Sequence, residues 1–332
     1  MTVGVVIPCR NEAGRVADVL DALAIQTRRP DDVVIVDDGS VDGTAGVVDE
    51  WRQRHDGLLV RIIPGPMRGA GAAVNAGVAA LTTDVVVRLD GHCRPAADYI
   101  ARATALITGP DVGVVGGVWV VEPGGPSRQA EAIAIAAAHP LGSGGAAYRS
   151  ATFSEPADVD TVPFGCFRRA LWSDLGGLNE GLGVHEDYEF NYRVRRRGLR
   201  VVLDPHIRCE YYARATLAAL ARQYARYGWW KARMLMRYPR ATRWRQVVPA
   251  LLVPGLLVVL VAVARSGGVW PLLLAVYPTA LAVGAIHAAA TRGKWPAAGW
   301  LAGALLTMQV AWSAAFWLSV VSVGLPRGQG RS

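Results

Sequence analysis

From its start to about position 120 the chain alternates short apolar runs with segments of helical spacing. The runs at 4–8, 33–37, 59–63, 85–89 and 112–121 are dominated by valine, isoleucine and leucine, which predicts buried strands. Between them, apolar positions near 14–26, 43–55, 70–82 and 96–108 recur as on one face of a helix. Strand–helix alternation of this kind predicts an α/β domain with a mostly parallel sheet and ligand loops at the strands' carboxyl ends. The pattern blurs over 122–160, which is rich in Gly, Ala, Ser and Pro. It then resumes with a strand in "VDTVPFG", a helix from Arg168 and a glycine-rich loop. A helix over 186–197, a strand in "LRVVLDP" and a helix over 220–239 complete it.

Past about 247 the pattern changes kind. Three apolar blocks, near 247–264, 269–290 and 297–324, each have the length to cross a bilayer. Cations crowd 222–245 ahead of the first block, and Arg292 and Lys294 follow the second. The excess of Lys and Arg on cytoplasmic flanks then places the N-terminal domain in the cytoplasm of a multi-pass cell-membrane protein. Three spans leave Arg327 and Arg331 outside, against that rule. The expected division is a catalytic domain over 1–212, an amphipathic interfacial region over 213–245 and a transmembrane region over 246–326.

Composition sharpens this picture in three places. The chain is 52% hydrophobic and 19% charged, and the apolar excess lies in the C-terminal blocks. A net charge of +8 would suit a nucleic-acid partner, but the cations gather at 193–200 and beside the apolar blocks, so membrane orientation accounts for them better. Cys9, Cys93, Cys166 and Cys209 form no CxxC pair, which argues against a zinc ribbon or disulfide scaffold and fits a reducing compartment. "MTVGVVIPCRNE" lacks a basic leader followed by a long apolar core and reads as a strand rather than a signal peptide.

Three acidic stretches could carry chemistry. In "VIVDDGSVDGT", Asp37 and Asp38 end a strand, where carboxylates can accept hydrogen bonds from a base or ribose; turn formation alone explains them equally well. "VVVRLDGHC" sets Asp90 and His92 around Gly91, a pair that could hold Mg²⁺ or Mn²⁺ or be an ordinary surface pair. "VHEDYEFNYRVRRRG" opens a helix with Glu186, Asp187 and Glu189, either to complement the helix dipole or to supply a general base. "RGAGAAVNAG" lacks the third glycine of a dinucleotide fingerprint, and His139 and His185 have no evident nucleophile to serve.

Taken in order, "VVIPCRNEAGRV", "VIVDDGSVDGT", "RGAGAAVNAG", "VRLDGH" and "GVHEDYEFNYRVRRRG" resemble a family 2 glycosyltransferase of GT-A fold across roughly 1–210. The "DGH" form, with "HPLGSGGAAYR" and "VPFGCFRR", is similar to the exopolysaccharide glucosyltransferases of succinoglycan type. The resemblance implies that Pro8, Arg10 and Glu12 contact the nucleotide, that Asp37 and Asp38 hold uracil and ribose, and that Arg68, Gly69 and Asn75 lie beside base and phosphates. It implies that Asp90 and His92 occupy the metal-binding DXD position, with histidine in place of the second acid. Asp187, in the pair with Glu186, matches the catalytic base, and Gly165 and Cys166 match the acceptor and diphosphate side.

In "LARQYARYGWWKARMLMRYP", Gln223, Arg226, Tyr227 and Trp230 share a helix face. Gln223 to Tyr227 resembles the Gln-x-x-Arg-Trp motif of cellulose and hyaluronan synthases, with tyrosine for tryptophan. That likeness implies diphosphate contact by Arg226 and acceptor stacking by Tyr227. An interfacial helix with Tyr224, Trp229, Lys231 and Arg233 at lipid headgroups is the other reading, and different faces could serve both.

The expected activity is transfer, with inversion, from a UDP-sugar to a hydroxyl of a lipid-linked or membrane-proximal glycan. Transfer to a polyprenyl phosphate is the alternative. A membrane scaffold with a vestigial nucleotide-sugar domain is a third reading.

Overall fold

The computed structural model describes residues 1–150, 153–266 and 270–324. The early apolar runs become strands and the periodic segments helices. They are β1 (Val3–Cys9), α1 (Val16–Ala24), β2 (Asp32–Asp37), α2 (Thr44–Arg54), β3 (Val60–Pro64), α3 (Ala70–Ala80), β4 (Val85–Arg88), the short unexpected β5 (Cys93–Pro95), α4 (Tyr99–Ile107) and β6 (Val112–Glu122). The blurred region holds α5 (Arg128–Ala138), α6 (Pro140–Ser143), α7 (Ala147–Ser150) and β7 (Ala157–Asp158). Then come β8 (Cys166–Arg168), α8 (Arg169–Leu175), α9 (Glu186–Arg196) and β9 (Arg200–Tyr212). The strand expected in "VDTVPFG" is instead irregular, and β8 starts only after it, at Cys166. Pro163 has no N–H to give a ladder, and Phe164 adopts φ 49°, which no strand residue does.

The sheet runs β3-β2-β1-β4-β8-β6-β9-β5, with β7 beside β9. β1 pairs in parallel with β2 and β4, and β2 with β3; β8 is antiparallel to both β4 and β6. The chain winds outward from β1 through β2 to β3 and then returns to place β4 on the other side. That reversal opens a crevice at the carboxyl ends of β1 and β4, where α/β sheets place ligands. Both sheet faces are covered. Val3, Val5 and Ile7 face Leu20, Leu23, Trp51 and Ile100, while Val6, Val34 and Val36 face Val74, Val78, Trp172 and Phe190. Burial on both sides is why the strands read as unbroken apolar runs.

The chain divides into two units, one of Met1–Val120 and Ala147–Tyr212, the other of Val121–Ala146 and the chain from Ala213 onward. The segment 121–146, placed with the catalytic domain on sequence order, thus groups with the C-terminal helices. The cause is its alanine-rich helix: Ala132, Ile133 and Ala136 of α5 join one buried cluster with Leu220, Tyr224, Leu301, Leu305 and Met308.

The second unit contains α10 (Leu217–Arg237), α11 (Trp244–Ser266), α12 (Trp270–Thr291) and α13 (Ala298–Gly324). α10 lies against α13 so closely that a Cβ at Gly228 would stand 2.0 Å from the Trp312 carbonyl oxygen. This corrects one expectation: Tyr224 and Lys231 do not face lipid headgroups. They flank Gly228 at helical spacing on the packed face and are buried, with Tyr224 donating to the Gly142 carbonyl at 3.3 Å.

Two stretches, Gln246–Arg265 and Trp295–Val323, are long and apolar enough to cross a membrane, whereas the apolar stretch Ala275–Thr291 of α12 is shorter. Along α11 the side chains of Val248, Leu251, Leu257, Val258 and Val261 are exposed, an apolar surface that water would not favour. Arg327 and Arg331, and residues 267–268 of the expected "RSGG" link, lie outside the described residues.

Candidate active site

Three loops at the carboxyl ends of parallel strands are laced together by hydrogen bonds from backbone N–H groups to side-chain oxygens. After β1, Asn11 N–H donates to Ser40 Oγ at 2.9 Å, Glu12 N–H to Thr44 Oγ1 at 2.9 Å and Ala13 N–H to Asp42 Oδ2 at 3.0 Å. After β2, the two adjacent acids part ways because successive strand side chains point oppositely. Asp37 is half-buried and accepts from its local Ser40 N–H at 2.8 Å. Asp38 is buried and accepts from Met67 N–H at 2.6 Å and Gly69 N–H at 2.9 Å, which ties the β3–α3 loop to the end of β2. Asp37 therefore faces the crevice, and Asp38 builds it.

The next two candidates in that loop region hold another segment in place. Asn75 donates to the Leu178 carbonyl and to Glu180 Oε1, each at 3.0 Å, and accepts from Leu178 N–H at 2.8 Å. Arg68 pairs with Glu180 Oε2 at 3.0 Å. Together they anchor the glycine-rich loop that leads to α9. Glu189 is buried there in a two-pronged pair with Arg193, both contacts at 2.8 Å, and Arg193 also donates to the Gly177 carbonyl at 2.6 Å. Glu189 is thus committed to structure.

Asp90 and His92 lie just past β4. His92 Nδ1 is 2.9 Å from Glu12 Oε1, so Glu12 meets the imidazole. Gly91 makes this possible: a Cβ there would stand 2.7 Å from Cys9 Sγ and 3.0 Å from Glu12 Cγ. The Asp-Gly-His spacing is what lets the loop close down on Glu12. Among the described residues, no three or more His, Cys, Asp or Glu side chains converge to hold a metal ion by themselves. One carboxylate and one imidazole do suit a hard cation that brings other oxygen ligands with it, as a cation on a diphosphate would.

Glu186 and Asp187 open α9, and the two acids differ. Glu186 is buried, and Arg88 Nη2 reaches its Oε1 at 3.3 Å and Asp90 Oδ1 at 3.4 Å. Burial pushes the Glu186 carboxyl above the usual carboxylate range; Arg88 acts against that, and Asp187 adds to it. Asp187 itself is half-buried. Arg88 N–H donates to the Gly165 carbonyl at 3.1 Å, so Gly165 borders the site through its backbone. Cys166 does not: the sheet buries its side chain completely in the core between β4 and β6, and burial pushes its thiol up to about 12. The expected acceptor contact by that side chain is corrected accordingly. Pro8 is half-buried and Arg10 exposed at the end of β1.

Three residues joined to this region were not singled out in the sequence. Arg88 is one. Trp119 and Tyr211 are the others: their rings stack at 4.1 Å, the Arg149 guanidinium lies 4.9 Å from the Trp119 ring centre, and Tyr211 is tilted against His92 at 6.2 Å. Strand pairing brings them together, and no local pattern announces it. Backbone strain marks the region as well. The non-glycine residues of positive φ among the described residues are Asn11, Met67, Phe164 and His185, and all four stand in loops around this crevice.

Gln223, Arg226 and Tyr227 belong to the second unit. There Gln223 Nε2 donates to Tyr227 Oη at 3.1 Å, and Tyr227 tilts against Tyr224 at 5.4 Å.

Comparison with known proteins gives a consistent result. The sequence profile of glycosyl transferase family 2 matches residues 4–173. The chain is 30% identical over 323 residues to the succinoglycan biosynthesis protein ExoA of Rhizobium meliloti, covering 94% of this chain and 93% of that one. It is 28% identical over 320 residues to a pre-mycofactocin glycosyltransferase of Mycobacterium tuberculosis, covering 91% of this chain and 64% of the other. The mannosyltransferase PcManGT from Pyrobaculum calidifontis, solved in complex with GDP-Man and Mn²⁺, superposes with a TM-score of 0.66 at 22% identity over 96% of this chain and 87% of that chain. S. aureus TarS in complex with UDP superposes with a TM-score of 0.51 at 17% identity, over 98% and 93%. These structural likenesses show the GT-A fold.

Proposed function

The chain belongs to glycosyl transferase family 2, and on that premise we propose an inverting transfer of a sugar from a nucleotide-sugar to a glycan hydroxyl. The donor is a UDP-sugar, and the acceptor is lipid-linked or membrane-proximal. The enzyme is a multi-pass protein of the cell membrane with its catalytic domain in the cytoplasm. The observation that supports this reading is that Asp37 ends β2, Asp90 follows β4, and Arg88 links Asp90 to Glu186, the neighbour of Asp187 at the start of α9.

Each residue then has a task that its surroundings suit. Asp37 and the 10–12 segment receive the nucleoside, with Asp38, Gly69, Arg68 and Asn75 shaping the wall beside it. Asp90 and His92 would hold a divalent cation, Mg²⁺ or Mn²⁺, which when bound stabilises the negative charge that develops on the leaving diphosphate. A sugar hydroxyl is a weak nucleophile, so a carboxylate must take its proton as it attacks. Asp187 suits that task better than Glu186, because Glu186 is buried against Arg88 while Asp187 is half open. Displacement from the side opposite the leaving group inverts the anomeric centre. Arg226 and Tyr227 serve diphosphate and acceptor in this reading, on the strength of the Gln-x-x-Arg-Tyr pattern alone.

ExoA is a succinoglycan biosynthesis protein, and its similarity along nearly the whole chain supports an exopolysaccharide role. The structures with bound GDP-Man and UDP support a nucleotide-sugar donor, and Mn²⁺ in the first supports a divalent cation. The test is incubation of membranes containing the protein with labelled nucleotide sugars, followed by extraction of lipid and polymer. Label in either fraction is expected; a panel of donors that labels neither overturns the reading.

A further inference from the structure

Arg88 is hard to explain as a stabilising residue. It closes β4 with its side chain on the Val86 side of the sheet, and the residue is only 8% exposed. A guanidinium has five N–H donors, yet Nε and Nη1 are buried without a hydrogen-bond partner. Nη2 alone reaches carboxylates, at 3.4 Å to Asp90 and 3.3 Å to Glu186. Charge-assisted bonds normally close to about 2.7–2.9 Å, so neither contact is optimised. A buried ion pair of this quality is poor support for a fold, and apolar residues of similar volume often serve stability as well or better.

Its surroundings give the cation another purpose. Asp90 lies in the loop just past β4, and Glu186 begins α9 in a distant segment of the chain. Among the described residues, Arg88 is the cation that contacts both. Among the described residues, Arg88 is the cation paired with Glu186, and Glu186 is covalently next to Asp187.

We propose that Arg88 is a positioning residue for transfer: by holding Glu186 next to the end of β4, it sets the first turn of α9, and with it Asp187, relative to Asp90. This rests on the reading of Asp187 as base and Asp90 as the donor-side acid. Arg88 acts through Glu186 and need not touch substrate. Its effect therefore falls on turnover and spares donor binding, since the nucleoside is received by the loops after β1, β2 and β3.

A double-mutant cycle tests this in the full-length protein. Arg88→Met, Glu186→Gln and Arg88→Met/Glu186→Gln are compared for UDP binding in the presence of Mn²⁺ by calorimetry, for thermal melting, and for kcat and KM with the donor that labels product. Arg88→Met is expected to lower kcat by about tenfold or more, with donor KM and UDP affinity within about threefold of the parent. Adding Arg88→Met to Glu186→Gln should cost less than about threefold more in kcat, because residues that act through one another are not additive. The double variant strands no buried carboxylate, so it keeps the test usable if Arg88→Met alone melts early. Full kcat in Arg88→Met, additive losses in the cycle, or a loss confined to KM each overturns the role of Arg88. A parent protein that neither binds UDP with Mn²⁺ nor transfers label overturns the proposed function itself, which is a different result.

Discussion

At the residue scale, neighbours in sequence hold opposite positions. Asp37 opens to the crevice while Asp38 is spent on Met67 and Gly69; Glu186 is buried against Arg88 while Asp187 is half open. Asp187→Asn should therefore leave UDP binding with Mn²⁺ intact in calorimetry and reduce transfer by about 10²–10⁴-fold. A phosphate acceptor needs no proton removed, so near-parental transfer in that variant would favour the polyprenyl-phosphate alternative. The Glu12–His92 contact carries a separate expectation. Groups that orient a metal-binding histidine typically matter by about 10–100-fold in metal affinity. Glu12→Gln should raise the Mn²⁺ concentration needed for UDP binding by about that factor; an unchanged Mn²⁺ titration would show that Glu12 does not orient a metal-binding imidazole.

At the scale of elements, close approaches allowed by small residues decide how the pieces pack. Gly228 lets α10 lie on α13, and an added methyl group would meet the Trp312 backbone carbonyl, which has no rotamer to yield. Gly228→Ala should cost about 1–3 kcal/mol, read as a lower melting temperature in detergent; an unchanged melt would mean that the helices separate freely. The glycine-rich loop before α9 depends instead on Asn75, whose amide meets Leu178 at both its N–H and its carbonyl. Asn75→Ala should cost about 1–3 kcal/mol through those unpaired groups. Faster proteolytic cleavage near 176–182 is the measurement that checks it.

At the scale of the whole molecule, the apolar surface of α11 and the long apolar stretch Trp295–Val323 argue for lodgement in a bilayer. The protein should stay with the membrane pellet after washing in alkaline carbonate, and release into the supernatant would limit it to a surface association. The units also show how far chain order can mislead. Residues 121–146 follow the last long strand of the alternating pattern, yet their alanine-rich helix completes a core made by helices that come after Ala213.

The amino-acid sequence alone decided whatever local pattern controls. Valine runs buried on both faces had to be strands, helical spacing had to give helices between them, and acids at strand ends had to lie on the ligand side of a parallel sheet. The order of those motifs sufficed for the family, which the sequence profile over residues 4–173 and the relative 30% identical over nearly the whole chain show. Pairing between distant segments was not legible, because nothing local records it. Trp119 meets Tyr211 only through the sheet, and Cys166 looked available until β4 and β6 closed over it. "VDTVPFG" had the look of a strand, and Phe164 at positive φ broke it. Arg88 lies within the apolar run 85–89, and no local pattern singles it out. Folding made it a buried cation between two acids from different elements, because only three-dimensional packing decides which charges must share a space from which water is excluded.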